Sequence, residues 1–272
     1  MCRLALFNKI FALENLETIA SLFWDLETEL GGDGNGVATV LADGTFLIEK
    51  GVHFNPYDAY KQIGKWLECV DSEWFVFHTR MATSGGKTDV MCHPHVEANV
   101  LLAHNGIAGN FAGYKLLGKE VSDSRFLLHV ALNYTSDFLH TLQGSSGVFV
   151  GFVDTVPYVV KASAHSDLRL LKSEAGGLCF VSKWPYDIPA KYGLYNVTAG
   201  NWLGTDPDIV IQGPAIETDL KKYLSVGEYM TLRPKDAARY VRVSSTKKSG
   251  EPLAYYMLVS WTDYNVKEKH DV

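Results

Sequence analysis

No stretch of this 272-residue chain reaches the ~18 consecutive apolar residues that a membrane-spanning helix needs. The first residues lack a basic segment followed by an apolar one, so no signal peptide is expected. The corresponding expectations are a cytoplasmic location and no membrane partner. Cationic stretches are missing too. The formal charge is −6, and the densest basic pair, Lys247-Lys248, sits beside Ser249-Gly250 in a turn-like segment. That balance argues against nucleic acid as a ligand, which selects a basic stripe. Cysteine is scarce: Cys2, Cys69, Cys92 and Cys179 are widely spaced, with no C-x-x-C among them. This argues against a disulfide framework, and Cys69 and Cys179 read as small buried hydrophobes. No internal repeat and no clear linker divides the chain.

What is present is an ordinary globular balance, with 47% hydrophobic and 21% charged residues, enough for a core of usual size. Residues 2–7 form a short apolar run that reads as a strand. Residues 13–30 carry Leu16, Ile19, Ala20, Phe23 and Leu26 at helical spacing, with Gly31-Gly32 as the stop. Strands at 37–40 and 45–48 flank Asp43-Gly44, a hairpin signal. Asn55-Pro56 opens a second helix to about 69, with Asn as cap and Pro in the first turn. Strands follow at 74–79 and 100–104, then a helix from Ser122-Asp123 to about 134. Further hairpins are expected at 147–153 with 158–162, around Pro157, and at 168–172 with 178–182. Late strands are expected at 227–232, 239–243 and 253–261. Hairpin connections imply mainly antiparallel sheets, and two sheets with helices outside suit the order of elements.

Four short segments carry chemistry. Cys2 becomes the first residue once Met1 is removed, and an N-terminal cysteine holds a nucleophilic thiol and an amine on one carbon. That amine, of pKa about 7.7–8.0, is partly neutral near pH 7 and able to take the thiol proton. In most chains a cysteine at this position is simply buried. His78-Thr79-Arg80-Met81-Ala82-Thr83-Ser84 ends a strand in an arginine, whose guanidinium forks onto a carboxylate; an ordinary surface ion pair is the plainer reading. His104-Asn105-Gly106 ends another strand. The Asn amide and the Gly backbone N–H suit an oxyanion hole, and Asn-Gly equally suits a hairpin turn. In Ser122-Asp123-Ser124, either of the first two residues serves as a helix cap, or the carboxylate receives an ammonium. His93 and His95, two apart, suggest metal only weakly, since no third ligand stands at convincing spacing; a structural role is favoured.

Taken together and in order, these segments resemble the class II glutamine amidotransferases of the N-terminal-nucleophile hydrolase superfamily. Met1-Cys2 matches the family's start, His78-Thr79-Arg80 with Ala82-Thr83 its strongest internal motif, and Cys92-His93-Pro94-His95 its Ala-His-Pro-His. Asp33-Gly34-Asn35-Gly36 resembles the early turn, with Leu30 where an Arg usually leads it. Residues 176–182 resemble a later strand ending in Ala-Ser, and 226–230 the closing Gly-Glu strand. Met81 and Ser84 stand where the family often has Trp and His.

The resemblance implies an α+β fold, a four-layer αββα sandwich of two mainly antiparallel sheets. It implies a single domain over 1–272, with an unplaced insertion at about 184–223 and an extension after about 234. Cys2 would attack the glutamine carboxamide, with its own α-amine as base. Asn105 and Gly106 would hold the oxyanion, Arg80 the substrate carboxylate and Asp123 its ammonium, while Thr83 orients the pocket. No cofactor and no metal is implied. Ammonia would pass to a synthetase-like partner or be released. Two other readings are an N-terminal-nucleophile hydrolase of another amide and a silent binding protein of the same fold.

Overall fold

The computed structural model describes residues 2–83, 85–113, 115–117, 119–162, 166–183, 192–197, 200–204, 238–246 and 252–260. In chain order the elements are β1 (Arg3–Asn8), α1 (Lys9–Glu14), α2 (Leu16–Leu30), β2 (Asn35–Val40), β3 (Phe46–Gly51), α3 (Pro56–Cys69), β4 (Trp74–Thr79), β5 (His95–Glu97) and β6 (Val100–Asn105). There follow β7 (Lys115–Leu116), β8 (Lys119–Glu120), α4 (Asp123–Asn133), α5 (Phe138–Gln143), β9 (Val148–Val153) and β10 (Val156–Lys161). The last are β11 (Arg169–Ser173), β12 (Leu178–Val181), β13 (Tyr192–Asn196), β14 (Gly200–Leu203), β15 (Ala238–Thr246) and β16 (Pro252–Ser260).

Seven strands form one sheet in the order β13-β11-β12-β1-β4-β2-β3, and five form a second in the order β14-β10-β9-β6-β5. Every pairing in both is antiparallel. Two small ladders, β7 with β8 and β15 with β16, stand apart from these sheets in hydrogen bonding.

Side-chain alternation then builds the layers. From β1, Leu4 and Leu6 point into a core shared with Leu101, Ala103, Val148, Val150 and Phe152 of the second sheet. Their neighbours Ala5 and Phe7 point the other way, onto Ile19, Phe23 and Leu26 of α2 and Ile63 of α3. On the second sheet, Leu102 and Phe149 turn outward onto Phe126, Leu127 and Val130 of α4. The result is helices, sheet, sheet, helices: the αββα sandwich expected from sequence. Because β1 and β4 are covered on both faces, they read as continuous apolar runs rather than alternating ones. The Phe23 ring stacks on Phe77 at 3.9 Å between centroids and fastens α2 to the first sheet. Among the described residues, no helix is long and apolar enough to cross a membrane.

Local chemistry explains most boundaries. Asn55 accepts from Tyr57 and Asp58 backbone N–H groups while Asp58 reaches back to the Asn55 N–H, a complete capping box. In the first hairpin Asp43 Oδ1 accepts from Thr45 N at 2.8 Å, and Gly44 supplies φ +86°.

The structure corrects several expectations. The helix expected from Leu13 begins at Leu16, after the separate α1, because the buried Asn15 side chain turns back to Phe11 O at 2.7 Å and also meets the Tyr192 hydroxyl. Pro157 lies inside β10 opposite Phe152, and the turn is at Asp154-Thr155, with Asp154 at φ +53°. Cys69 is exposed, because it ends α3 beyond that helix's buried face; Cys179 is buried. Helices α1 and α5 and strands β5, β7, β8, β13 and β14 were not expected. The strand expected at 227–232 and most of 184–223 lie outside the described residues.

Candidate active site

Pairing registers bring the sequence motifs to one end of the sandwich. Arg3 faces Thr79 across β1 and β4, so Cys2 and Arg80 are the next residues at the same end of the first sheet. On the second sheet Asn105 faces Val148 at the end of β6, and the Asn105-Gly106 turn emerges there. Cys2, Arg80, Met81, Thr83, His93, His104, Gly106, Ser122, Asp123 and Ser124 line one narrow cleft. Of the six residues singled out from sequence, five are in that lining; Asn105, nearly buried beside it, is not, and its Oδ1 has no hydrogen-bond partner.

The arginine loop is braced by a residue to which the sequence reading gave no role. Asp33 N donates to Arg80 O at 2.9 Å, and Arg80 N to Gly34 O at 2.8 Å. Asp33 Oδ2 then accepts from Ala82 N at 2.8 Å, and its carboxylate pairs with Lys87. Desolvation works against that carboxylate, but the bonds from Lys87 and Ala82 hold its pKa below the ordinary value. The Arg80 guanidinium is buried and donates to Gly86 O at 3.0 Å. Thr83 is exposed at the cleft edge.

Ser122, not Asp123, caps α4, accepting from Arg125 N at 3.1 Å. The Asp123 carboxylate therefore turns to the cleft wall. Its Oδ2 accepts from Ala108 N at 2.7 Å and its Oδ1 from Ser124 N at 2.9 Å, with Ser124 Oγ 3.3 Å from Oδ1.

The Asn105-Gly106 turn lies against Ser146-Gly147. A Cβ on Gly106 would fall 2.5 Å from His104 Nε2 and 2.8 Å from Ser146 O, so only glycine fits there. Gly147, at φ +101°, takes a conformation that other residues rarely adopt.

A buried set of imidazoles forms part of the cleft wall and continues behind it. His78 Nε2 bonds His104 O at 3.0 Å, His104 N donates to His93 Nδ1 at 3.2 Å, and His95 Nε2 bonds Ser122 Oγ at 2.8 Å. Burial drives all three partner rings toward neutrality: His78 is lowered to about 3, and His93 and His95 are well below their ordinary value. His93 and His95 are thus internal hydrogen-bonding groups. Among the described residues, no cluster of three or more His, Cys, Asp or Glu is arranged to hold a metal.

The Cys2 thiol is buried and donates to Met81 O at 3.7 Å. Burial raises its pKa; the Met81 contact and the Arg80 charge act the other way, and Asp123 adds to the rise. A thiol held in this form needs a base to become a nucleophile.

No family model matches the chain. Curated relatives do. A glutamine–fructose-6-phosphate aminotransferase of Corynebacterium glutamicum is 59% identical over 44 residues, 15% of this chain and 7% of that one. The protein of the same name from Aliivibrio fischeri is 27% identical over 144 residues, 46% of this chain and 22% of its own length. Over these stretches the chain is similar in sequence to glutamine–fructose-6-phosphate aminotransferases. Its matches span less than a quarter of the relatives' length. Among solved structures, a class II glutamine aminotransferase domain protein from Silicibacter pomeroyi is 16% identical with a TM-score of 0.46, covering 74% of this chain and 93% of that one. A glutamine phosphoribosylpyrophosphate amidotransferase from B. subtilis is 17% identical with a TM-score of 0.44, covering 67% and 42%.

Proposed function

We propose that this protein is a glutamine amidotransferase whose nucleophile is Cys2, exposed as the first residue by removal of Met1. The observation that carries the reading is the convergence of Cys2, Arg80, Gly106 and Asp123 on one cleft from two sheets and a helix. A cation and an anion beside a thiol complement the two charged ends of a free amino acid.

In this reading the Cys2 α-amine takes the thiol proton, and the thiolate attacks the carboxamide carbon. The oxyanion receives the Gly106 N–H and, after its side chain turns to the cleft, the Asn105 amide. The α-ammonium returns its proton to the departing nitrogen, which leaves as ammonia, and a thioester remains. The amine then deprotonates water, which attacks the thioester to release glutamate and restore the thiol. Arg80 binds the substrate carboxylate, Asp123 the ammonium, and Thr83 closes the cleft edge. The ammonia goes to an acceptor on a partner protein.

The test is incubation of the purified protein with glutamine and, separately, asparagine. Glutamate and ammonia from glutamine alone are expected. Absence of turnover in protein whose intact mass proves Cys2 to be first overturns the reading.

A further inference from the structure

Ser124 and His104 are not among the residues given a role above, yet they form a continuous chain to Asp123. His104 Nδ1 lies 2.9 Å from Ser124 Oγ, which lies 3.3 Å from Asp123 Oδ1. At the far side of the ring, His104 Nε2 lies 2.9 Å from Ser146 O. A carbonyl oxygen only accepts, so Nε2 carries a proton. In the neutral ring Nδ1 is then an acceptor, and it claims the single hydroxyl proton of Ser124. In the protonated ring Nδ1 is a donor, so the hydroxyl turns its proton to Asp123 Oδ1. The ring itself does not swing, because it stacks on Phe149 at 4.1 Å and 8°.

We propose that Ser124 and His104 are positioning residues for substrate binding: the Ser124 hydroxyl competes with the substrate's ammonium for Asp123 Oδ1 only when His104 is charged. The proposal rests on the reading that Asp123 receives that ammonium. His78 from β4 and His93 from the segment before β5 bond the His104 backbone, the Asp123 charge from α4 acts on its ring, and Cys2 and Arg80 line the same cleft from the first sheet. Burial lowers the His104 pKa and the Asp123 charge partly restores it, which leaves the ring neutral in the binding-competent form near pH 7.

The consequence is a KM effect specific to the amino group. As pH falls from 6.5 toward the lowest pH at which the enzyme stays folded, KM for glutamine should rise relative to KM for 4-carbamoylbutanoate, which is glutamine without its amine. A rise of about ten-fold is expected, the size of one hydrogen bond to a charged group. Changes in the Cys2 amine or thiol affect both substrates alike and cancel in the ratio. His104→Gln offers the same donor and acceptor without titrating, and should flatten the ratio across this range. Ser124→Ala, which removes the shared hydroxyl, should at least halve its slope. A ratio that is flat in the wild type, or that rises equally in His104→Gln, overturns the proposal; the wild-type measurement decides even where a variant does not fold. No turnover of glutamine by the wild type would instead overturn the function proposed above, so the two failures are distinct.

Discussion

Cys2 and Arg80 leave neighbouring antiparallel strands at the same end of one sheet, because Arg3 and Thr79 are paired. A thiol at the start of the chain and a guanidinium almost eighty residues later become cleft neighbours through strand register alone. A slip of one residue in that pairing would send alternate side chains to the opposite face and dismantle both cores that β1 serves.

Cys2→Ala should abolish glutamate release while leaving the fold intact. The change removes one buried atom, so the far-ultraviolet spectrum should be unchanged and Tm should move by only a few degrees. Retained glutaminase activity in a discontinuous ammonia assay would take the nucleophile role from Cys2.

Asn105→Ala should lower kcat by roughly 10²–10³, the usual loss for one oxyanion donor. Because the side chain does not line the cleft in this structure, the effect should fall on kcat rather than KM. Steady-state kinetics on glutamine decide it; a change within a few-fold excludes Asn105 from the hole.

Asp123→Asn should raise KM for glutamine about ten-fold or more, with a smaller effect on kcat, since a charged hydrogen bond to the ammonium is lost. Asn keeps an oxygen to accept from Ala108 N, whose bond to Asp123 is 2.7 Å, so the loop before α4 should hold its place. An unchanged KM would mean that the ammonium is bound elsewhere.

Asp33→Ala should weaken activity without touching substrate. It leaves the Ala82 N–H without its 2.8 Å partner and removes the Lys87 pair, loosening the segment that carries Arg80. The expected result is a several-fold rise in KM and a stability loss of about 1 kcal/mol. Asp33→Asn, which keeps an acceptor, should recover most of both; equal losses in the two variants would count against this bracing role.

Stability should fall steeply below pH 6.5. His78, His93 and His95 have folded-state pKa values below the unfolded value of about 6.5. Above that pH both states leave these rings neutral. Below it the unfolded chain takes up protons that the folded one refuses, so stability is lost as pH falls toward the folded values. A ring that stays neutral in the folded state costs about 1.4 kcal/mol of stability per pH unit below 6.5, so the midpoint at pH 5.5 should be clearly lower than at pH 7.5. Urea unfolding at the two pH values measures this; equal midpoints would show that the rings are not held neutral.

Much of this was legible one segment at a time. The Asn55 cap, the Asp43-Gly44 hairpin and a cap at Ser122 or Asp123 follow from side chains that bond their own neighbours, so a short window of sequence contains both partners. The two-sided apolar runs of β1 and β4 and the order of the motif segments were readable for the same reason. What no window contains is a partner far along the chain. Asn15 separates α1 from α2, and the Tyr192 hydroxyl it meets is 177 residues away. Asp33 looked like a turn residue until the fold set its carboxylate against Ala82 N, 49 residues on. His104 and Ser124 read as the flanks of better-known positions, and only the seating of α4 on the second sheet joined them to Asp123. Local bonding wrote the elements and their caps into the sequence. Packing of two sheets between two helical layers decided which residues meet, because those contacts depend on register and layer spacing rather than on neighbouring residues.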